Sequence, residues 1–125
     1  MRALFVSLLL TPFLFGCAGV NDRSEYQAQR LGAPVIADAE KCPDGIDAQS
    51  MPRYPEEAFR SIIVGWVVVD IELSEEGALV SRRMEAEQPN GIFGQAALES
   101  VDNNAFKGTG KARKCKMLYT FGLNS

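Results

Sequence analysis

The sequence predicts an α+β domain in which two short helices pack on a three-stranded antiparallel sheet, in the order α-β-β-α-β. Residues 65–73 and 115–123 each carry an apolar side chain at every second position, as half-buried strands do. Residues 55–63 and 92–103 instead repeat their apolar side chains at helical spacing. Apolar residues make up 46% of the 125-residue chain, which is enough for the core of one small domain.

The first helix is predicted over residues 55–63. Pro55 fits a first helical turn, where its missing N–H costs nothing. Glu56 and Glu57 follow it, and their charges suit the positive N-terminal end of the helix dipole. The helix ends before Gly65, which is a poor residue for a helix interior.

Two strands joined by a tight turn are predicted next. The first, residues 65–73, has one wholly apolar face and a second face that begins apolar and ends acidic. Residues 74–77 form the turn, with Gly77 at the position that takes a positive φ. The return strand, residues 78–86, has a less regular pattern, which a β-bulge would explain.

The second helix and the last strand complete the prediction. Apolar side chains share one face of residues 92–103, and a loop rich in Gly and Lys follows over residues 107–114. We interpret the basic residues of this loop as solubilising, with contact to anionic headgroups or glycan as the alternative. In the last strand one apolar face is predicted, made of Cys115, Met117, Tyr119, Phe121 and Leu123.

The first 16 residues predict a signal peptide. Arg2 supplies a positive charge, and residues 3–15 are almost wholly apolar but too few to cross the roughly 30 Å of a bilayer interior. The segment ends in Leu14-Phe15-Gly16-Cys17, which resembles the lipobox of bacterial lipoproteins. The resemblance implies cleavage before Cys17 and acylation of Cys17, with palmitate among the acyl chains. An ordinary secretory signal with an incidental cysteine is the alternative.

A lipidated Cys17 would hold the mature chain to a membrane through its acyl chains. Ala18 follows, and the lipoprotein resemblance implies that Asp at this position would retain the chain in the inner membrane. We therefore expect the outer membrane, facing the periplasm. Residues 17–41 show no sustained apolar period and are predicted to be the lipidated N-terminus and a flexible tether, with the folded domain over residues 42–125.

Two cysteines remain once Cys17 carries lipid. An exported chain meets an oxidising compartment, so Cys42 and Cys115 are predicted to form a disulfide that closes a loop of about 74 residues. Two buried free thiols are the alternative.

Composition points away from catalysis. The chain has no His, the commonest general acid/base, and no Cys-x-x-Cys, so no metal site, cofactor or enzymatic activity is predicted. Asp70 and Glu72 lie two apart on one strand face, and we interpret them as a solvated face rather than an acid/base pair. A net charge of −3 argues against binding nucleic acid through its phosphates.

Several motifs together resemble the C-terminal domain of TonB proteins, over roughly residues 51–123. The most specific pair is a Tyr54-Pro55-x-x-Ala58 start and a Gly65-x-Val67-x-Val69 strand. The other matching pieces are Glu76-Gly77, Phe93 with Ala96-Ala97-Leu98, and Phe106-Lys107. TonB proteins span the inner membrane, couple to a proton-driven motor and pull on outer-membrane transporters through this domain. This chain has no His, no spanning helix and no Pro-rich rod, so we do not expect it to be a motor-coupled transducer.

The resemblance implies binding by strand addition to the last strand of the sheet. The candidate partner-strand edge is therefore Lys116, Met117, Leu118, Tyr119, Thr120 and Phe121. The expected partner is an envelope protein or peptide, with a TonB-dependent transporter as one candidate. Two other occupants of this edge stay open, namely a second copy of the chain in a homodimer and the chain's own tether. A structural or assembly lipoprotein that uses the fold as a compact scaffold is the alternative function.

Overall fold

The computed structural model describes residues 27–42, 46–48 and 50–123, and it has the predicted α+β architecture. After a helical turn over residues 27–30, the elements are β1 (Ile46–Ala48), α1 (Glu56–Arg60), β2 (Gly65–Leu73), β3 (Leu79–Gln88), α2 (Gly94–Asp102), β4 (Ala105–Phe106) and β5 (Arg113–Phe121). No helix in these described ranges is long and apolar enough to cross a membrane. The predicted signal peptide and Cys17 lie outside the described residues.

The main sheet is antiparallel and has the order β3-β2-β5, so β2 is its central strand. β2 occupies the predicted range, with Gly65 opposite Phe121 and Leu73 opposite Arg113. The predicted bulge lies in β3, because the register jumps from Ala86 to Met84 between neighbouring β2 residues. In the turn before β3, Gly77 has φ +87°, as predicted.

The helices cover one face of this sheet and enclose the core. Phe93 is fully buried and stacks on Phe121 with ring centroids 4.3 Å apart. The Tyr54 ring packs edge-on against Phe93 and Phe121, at 5.5 and 5.8 Å. The buried side chains that β2, β5 and the helices add are Val67, Val69, Ile71, Leu73, Cys115, Met117, Tyr119, Ala58, Ala97 and Val101.

Several predicted boundaries were wrong. Both helices are shorter than predicted, over residues 56–60 and 94–102, and β5 begins and ends two residues earlier than expected. α1 stops early because Ile62 adopts φ +56°, a conformation that no helix continues through. A small second sheet, in which β1 pairs with β4, was not predicted because its strands are too short to show a period.

The segment predicted to be a flexible tether packs on the sheet over residues 27–42. It covers the face opposite the helices, where β2 carries the buried side chains of Trp66 and Val68. The apolar residues that make this contact are Leu31, Ala33 and Ile36, against Trp66, Val68, Ala86 and Leu118. Covering this apolar patch removes it from water, which favours an ordered segment.

Candidate functional site

The predicted binding edge belongs to β5, which is an outer strand of the sheet. Lys116 lies opposite Asp70 but directs its backbone away from β2: its N–H donates to the Glu40 carbonyl oxygen at 2.7 Å, and its carbonyl accepts from the Cys42 N–H at 3.0 Å. Backbone direction alternates along a strand. Leu118 and Thr120 therefore also present their N–H and C=O groups outward.

The six predicted edge residues fall into two sets. The odd-numbered ones, Met117, Tyr119 and Phe121, are buried on the helix-covered face. The even-numbered ones, Lys116, Leu118 and Thr120, form the outward edge.

The residues that the structure describes cover only part of that outward edge. Residues 40–42 bind the backbone of Lys116. The chain's own tether, one of the occupants considered for this edge, therefore covers it at this one position. No hydrogen bond from the described part of the chain reaches the outward groups of Leu118 and Thr120. Within the described part of the chain, the stretch of the predicted edge whose outward backbone groups have no partner is therefore Leu118 to Thr120, which we call the open edge.

A disulfide fixes the covering segment in place. Cys42 is bonded to Cys115, with their Cα atoms 4.7 Å apart, as the cysteine count predicts. Cys115 is the neighbour of Lys116 in β5, so the covalent bond lies directly beside the two hydrogen bonds that cap the edge. Residues 40–42 therefore cannot leave Lys116 without local distortion of the chain around Cys42.

Ion pairs neutralise the charged side chains beside this edge. The Lys116 ammonium donates to Glu85 Oε1 at 2.8 Å and lies 3.9 Å from Asp70 Oδ1. The hydrogen bond to Glu85 raises the pKa of Lys116. Arg83 Nη2 also lies 3.1 Å from the Asp70 carboxylate. Asp70 is thus an ion-pair partner of Arg83 and Lys116.

One charged pair was missed by sequence reasoning. Arg82 of β3 binds Asp102, the last residue of α2, in a bidentate fashion, with Nε–Oδ1 at 2.5 Å and Nη2–Oδ2 at 2.9 Å. The hydrogen bond to Asp102 raises the pKa of Arg82. The contact secures the C-terminal end of α2 to the sheet. The two residues are 20 apart in sequence and lie on different elements, so no local pattern indicates the pair.

The described residues contain no cluster of three or more His, Cys, Asp or Glu side chains that could hold a metal ion. A cleft of about 590 Å³ lies on the sheet face opposite the helices, near Glu40, Asp70 and Lys116. Its lining mixes both charge signs, and Asp70 and Lys116 within it are already paired with each other and with Arg83 and Glu85. The arrangement at this end of the sheet is therefore that of a paired polar surface. The open edge, whose outward backbone groups have no hydrogen-bond partner among the described residues, remains the candidate binding site.

Residues 50–123 match the family described as Gram-negative bacterial TonB protein C-terminal. The chain belongs to this family. The solution NMR structure of the Pseudomonas aeruginosa TonB C-terminal domain is similar in fold, with a TM-score of 0.58, 18% sequence identity, and coverage of 67% of this chain and 92% of that one. A comparison with curated proteins finds no match.

Two motifs that carry the TonB resemblance have structural roles in this TonB-family domain. Tyr54 anchors the start of the domain, because its ring contacts Phe93 and Phe121 and its hydroxyl donates to the Ile63 carbonyl. Gly65 lies against the backbone of Gln88 and leaves no room for a side chain. Family membership implies a Gram-negative cell-envelope location and an interaction with envelope proteins.

Proposed function

We propose that the chain is a periplasm-facing outer-membrane lipoprotein whose TonB-type domain binds an extended segment of another envelope protein at the open edge of β5. The observation that carries the proposal is the outward backbone of Leu118 and Thr120, which finds no hydrogen-bond partner among the described residues. The role is accessory to TonB-dependent transport rather than that of a motor-coupled transducer. A TonB-dependent transporter is one candidate partner.

The size of the open edge sets the expected affinity. Two outward residues offer two N–H donors and two C=O acceptors, and each new hydrogen bond contributes about 1 kcal/mol net. Four such bonds give about 4 kcal/mol, which is no more than the roughly 4 kcal/mol or more that association costs in lost translational and rotational freedom. Side-chain contacts would have to supply any tighter binding. The proposed interaction is therefore transient, unless residues 40–42 separate from Lys116 and its backbone groups also become free to bind the partner.

Proline at position 118 tests the binding mode. Leu118→Pro removes one outward N–H without removing a hydrogen bond to β2, so we expect the domain to fold and peptide binding to be lost. Leu118→Thr keeps the backbone donor and should bind nearly as well as the parent. The measurement is a titration of the soluble Cys17→Ser chain, produced without the signal residues 1–16, with N-terminal peptides of TonB-dependent transporters, followed by amide chemical shifts.

The position of the shifts decides the outcome. Changes at residues 116–121 that disappear in Leu118→Pro support strand addition. Binding that survives in a folded Leu118→Pro domain, or shifts centred on Phe59, would contradict it.

The lipid anchor is tested separately through Cys17. The parent chain should incorporate labelled palmitate, and the labelled chain should fractionate with the outer membrane. The Cys17→Ser variant should take up no label. An unlabelled, soluble parent chain would refute the anchor.

A structural or assembly role is the second candidate. The observation that favours it is the cap over Lys116, since a covered edge resists further strand pairing. If no envelope peptide binds the soluble chain while the full lipoprotein remains in a stable envelope complex, this second role explains the protein better.

A further inference from the structure

Residues 40–42, which we call the cap, interrupt the outward edge of β5 near its middle. They bind Lys116, and the open edge at Leu118 and Thr120 lies on one side of it. On the other side lies Lys114, whose backbone also points outward because it is two residues from Lys116. No backbone hydrogen bond from the described part of the chain reaches Lys114. Without the cap, the edge would therefore be continuous over four outward residues.

Among the described residues, few noncovalent contacts hold the cap on β5. It makes two backbone hydrogen bonds, both to Lys116. Residues 37–41 are exposed, and the ion pair of Lys41 with Asp38 stays within this segment. Two hydrogen bonds between groups that water would otherwise satisfy add little net stability, whereas ordering three residues has a larger entropy cost. The disulfide between the cap and β5 is therefore the main restraint.

The chain on both sides of the cap contact is held by packing and pairing of its own. Ile36 is 8% exposed and anchors the preceding segment on Trp66 and Val68. Cys115 is one of nine consecutive β5 residues that pair with β2. Release of the cap therefore leaves the main sheet and the anchor at Ile36 in place.

The two cysteines differ in their access to solvent. Cys42 is half-buried, whereas Cys115 is buried at 6% exposed. The rate of thiol–disulfide exchange depends on access to the sulfur that is attacked. A thiolate in solution would therefore attack Cys42.

We propose that the Cys42–Cys115 disulfide is a redox switch of the binding edge. Its reduction by a protein dithiol releases the cap and joins Lys114 and Lys116 to the open edge, which then binds its partner more tightly. The inference rests on the proposed function, because the site that it regulates is the open edge.

The reduction takes place in two exchanges. A thiolate of the dithiol attacks Cys42 Sγ, the S–S bond breaks, and Cys115 leaves as a thiolate that takes up a proton. The second thiol of the reductant loses its proton and attacks its own sulfur in the mixed disulfide, so that Cys42 leaves as a thiolate and is protonated. The dithiol supplies both electrons and ends as a disulfide.

The size of the effect follows from the number of backbone groups. The capped edge offers two outward residues, and the released edge offers four, so its donors and acceptors double. Each further hydrogen bond lowers the dissociation constant by about five-fold. Part of this gain is lost in ordering the partner. We expect the dissociation constant to fall at least ten-fold on reduction.

The test compares the oxidised and dithiothreitol-reduced forms of the mature Cys17→Ser chain. In the free reduced chain, the Lys116 amide should lose its protection against hydrogen exchange, whereas Val69 in β2 stays protected. N-terminal peptides of TonB-dependent transporters are then titrated into both forms. In the oxidised form the peptide should shift amides at residues 118–120, and in the reduced form at residues 114–120 with at least ten-fold higher affinity.

Three variants serve as controls. The chain in which Cys42 and Cys115 are both replaced by serine should bind tightly with or without dithiothreitol. Lys116→Pro removes an outward N–H without removing a hydrogen bond to β2, and it should lose the gain on reduction. Lys116→Thr also loses the ion pairs of the lysine but keeps the N–H, so it should retain the gain.

The outcomes separate the switch from the proposed function. Loss of Lys116 protection together with tighter binding supports the switch. Equal affinity in the two forms, or a reduced chain in which Lys116 stays protected, overturns the switch and leaves strand addition intact. A reduced chain that unfolds also overturns it, because the bond would then hold the whole domain rather than the cap. Peptides that bind neither form overturn the proposed function and the switch together.

Discussion

Replacing Cys42 with serine is expected to lower the free energy of unfolding by about 4 kcal/mol. The disulfide joins residues 73 apart in sequence, so its loss returns a large amount of chain entropy to the unfolded state. Domains of this size are stable by only about 5–15 kcal/mol, so the melting temperature should fall by roughly 20 °C. Thermal unfolding of the soluble Cys17→Ser chain, with and without Cys42→Ser, measures the difference.

The double variant, in which Cys42 and Cys115 are both replaced by serine, supplies the control. Replacing Cys115 as well should add little, because both substitutions remove the same bond and their effects are not additive. Reduction of the parent with dithiothreitol should reproduce the single variant. Loss of the bond should also speed amide exchange at Lys116, whose N–H donates to Glu40. An unchanged melting temperature on reduction would show that Cys42 and Cys115 are not bonded in solution.

The central strand was predictable because one of its faces is apolar throughout. β2 occupies the predicted residues 65–73, which are bounded by Gly65 and the turn before β3. The first helix was less predictable. Its true end depends on the positive φ of Ile62, and an isoleucine gives no sequence signal for that conformation.

The candidate site was predictable only in part. The alternation of β5 correctly separates the core-facing residues 115–121 from the even-numbered ones, but Leu123, predicted on the same face, lies beyond the strand and is exposed. The alternation also carries no information about the cap over Lys116. That cap depends on an isolated β-bridge between Lys41 and Lys116 and on where the disulfide places residues 40–42. Neither feature produces a periodic pattern in the sequence. The available signal was Trp66 and Val68, whose apolar face needed a cover that the two helices could not provide.

Close packing around Gly65 explains why the family motif has a glycine at the start of β2. A Cβ built there would lie 1.9 Å from the Gln88 carbonyl oxygen and 2.8 Å from Phe93 Cε2. The first contact is with backbone in the neighbouring strand, and the second is with the fully buried ring that stacks on Phe121. Neither group can move without shifting the sheet or the core, because the interior is close-packed.

Gly65→Ala is therefore expected to destabilise the domain by about 3 kcal/mol or more, the upper range for forcing extra atoms into a packed core. Gly94→Ala is the matched control. Its added methyl group would also meet close neighbours, at 2.7 Å from Met84 Sδ and 2.8 Å from Glu87 Oε2, but these are side-chain ends. Moving them disturbs the hydrogen bonds that Glu87 accepts from the Gly91 and Gly94 N–H groups and leaves the sheet backbone in place. Urea unfolding of both variants measures the difference. Equal loss of stability at the two positions would show that the β2–β3 backbone contact at Gly65 does not set the requirement for glycine.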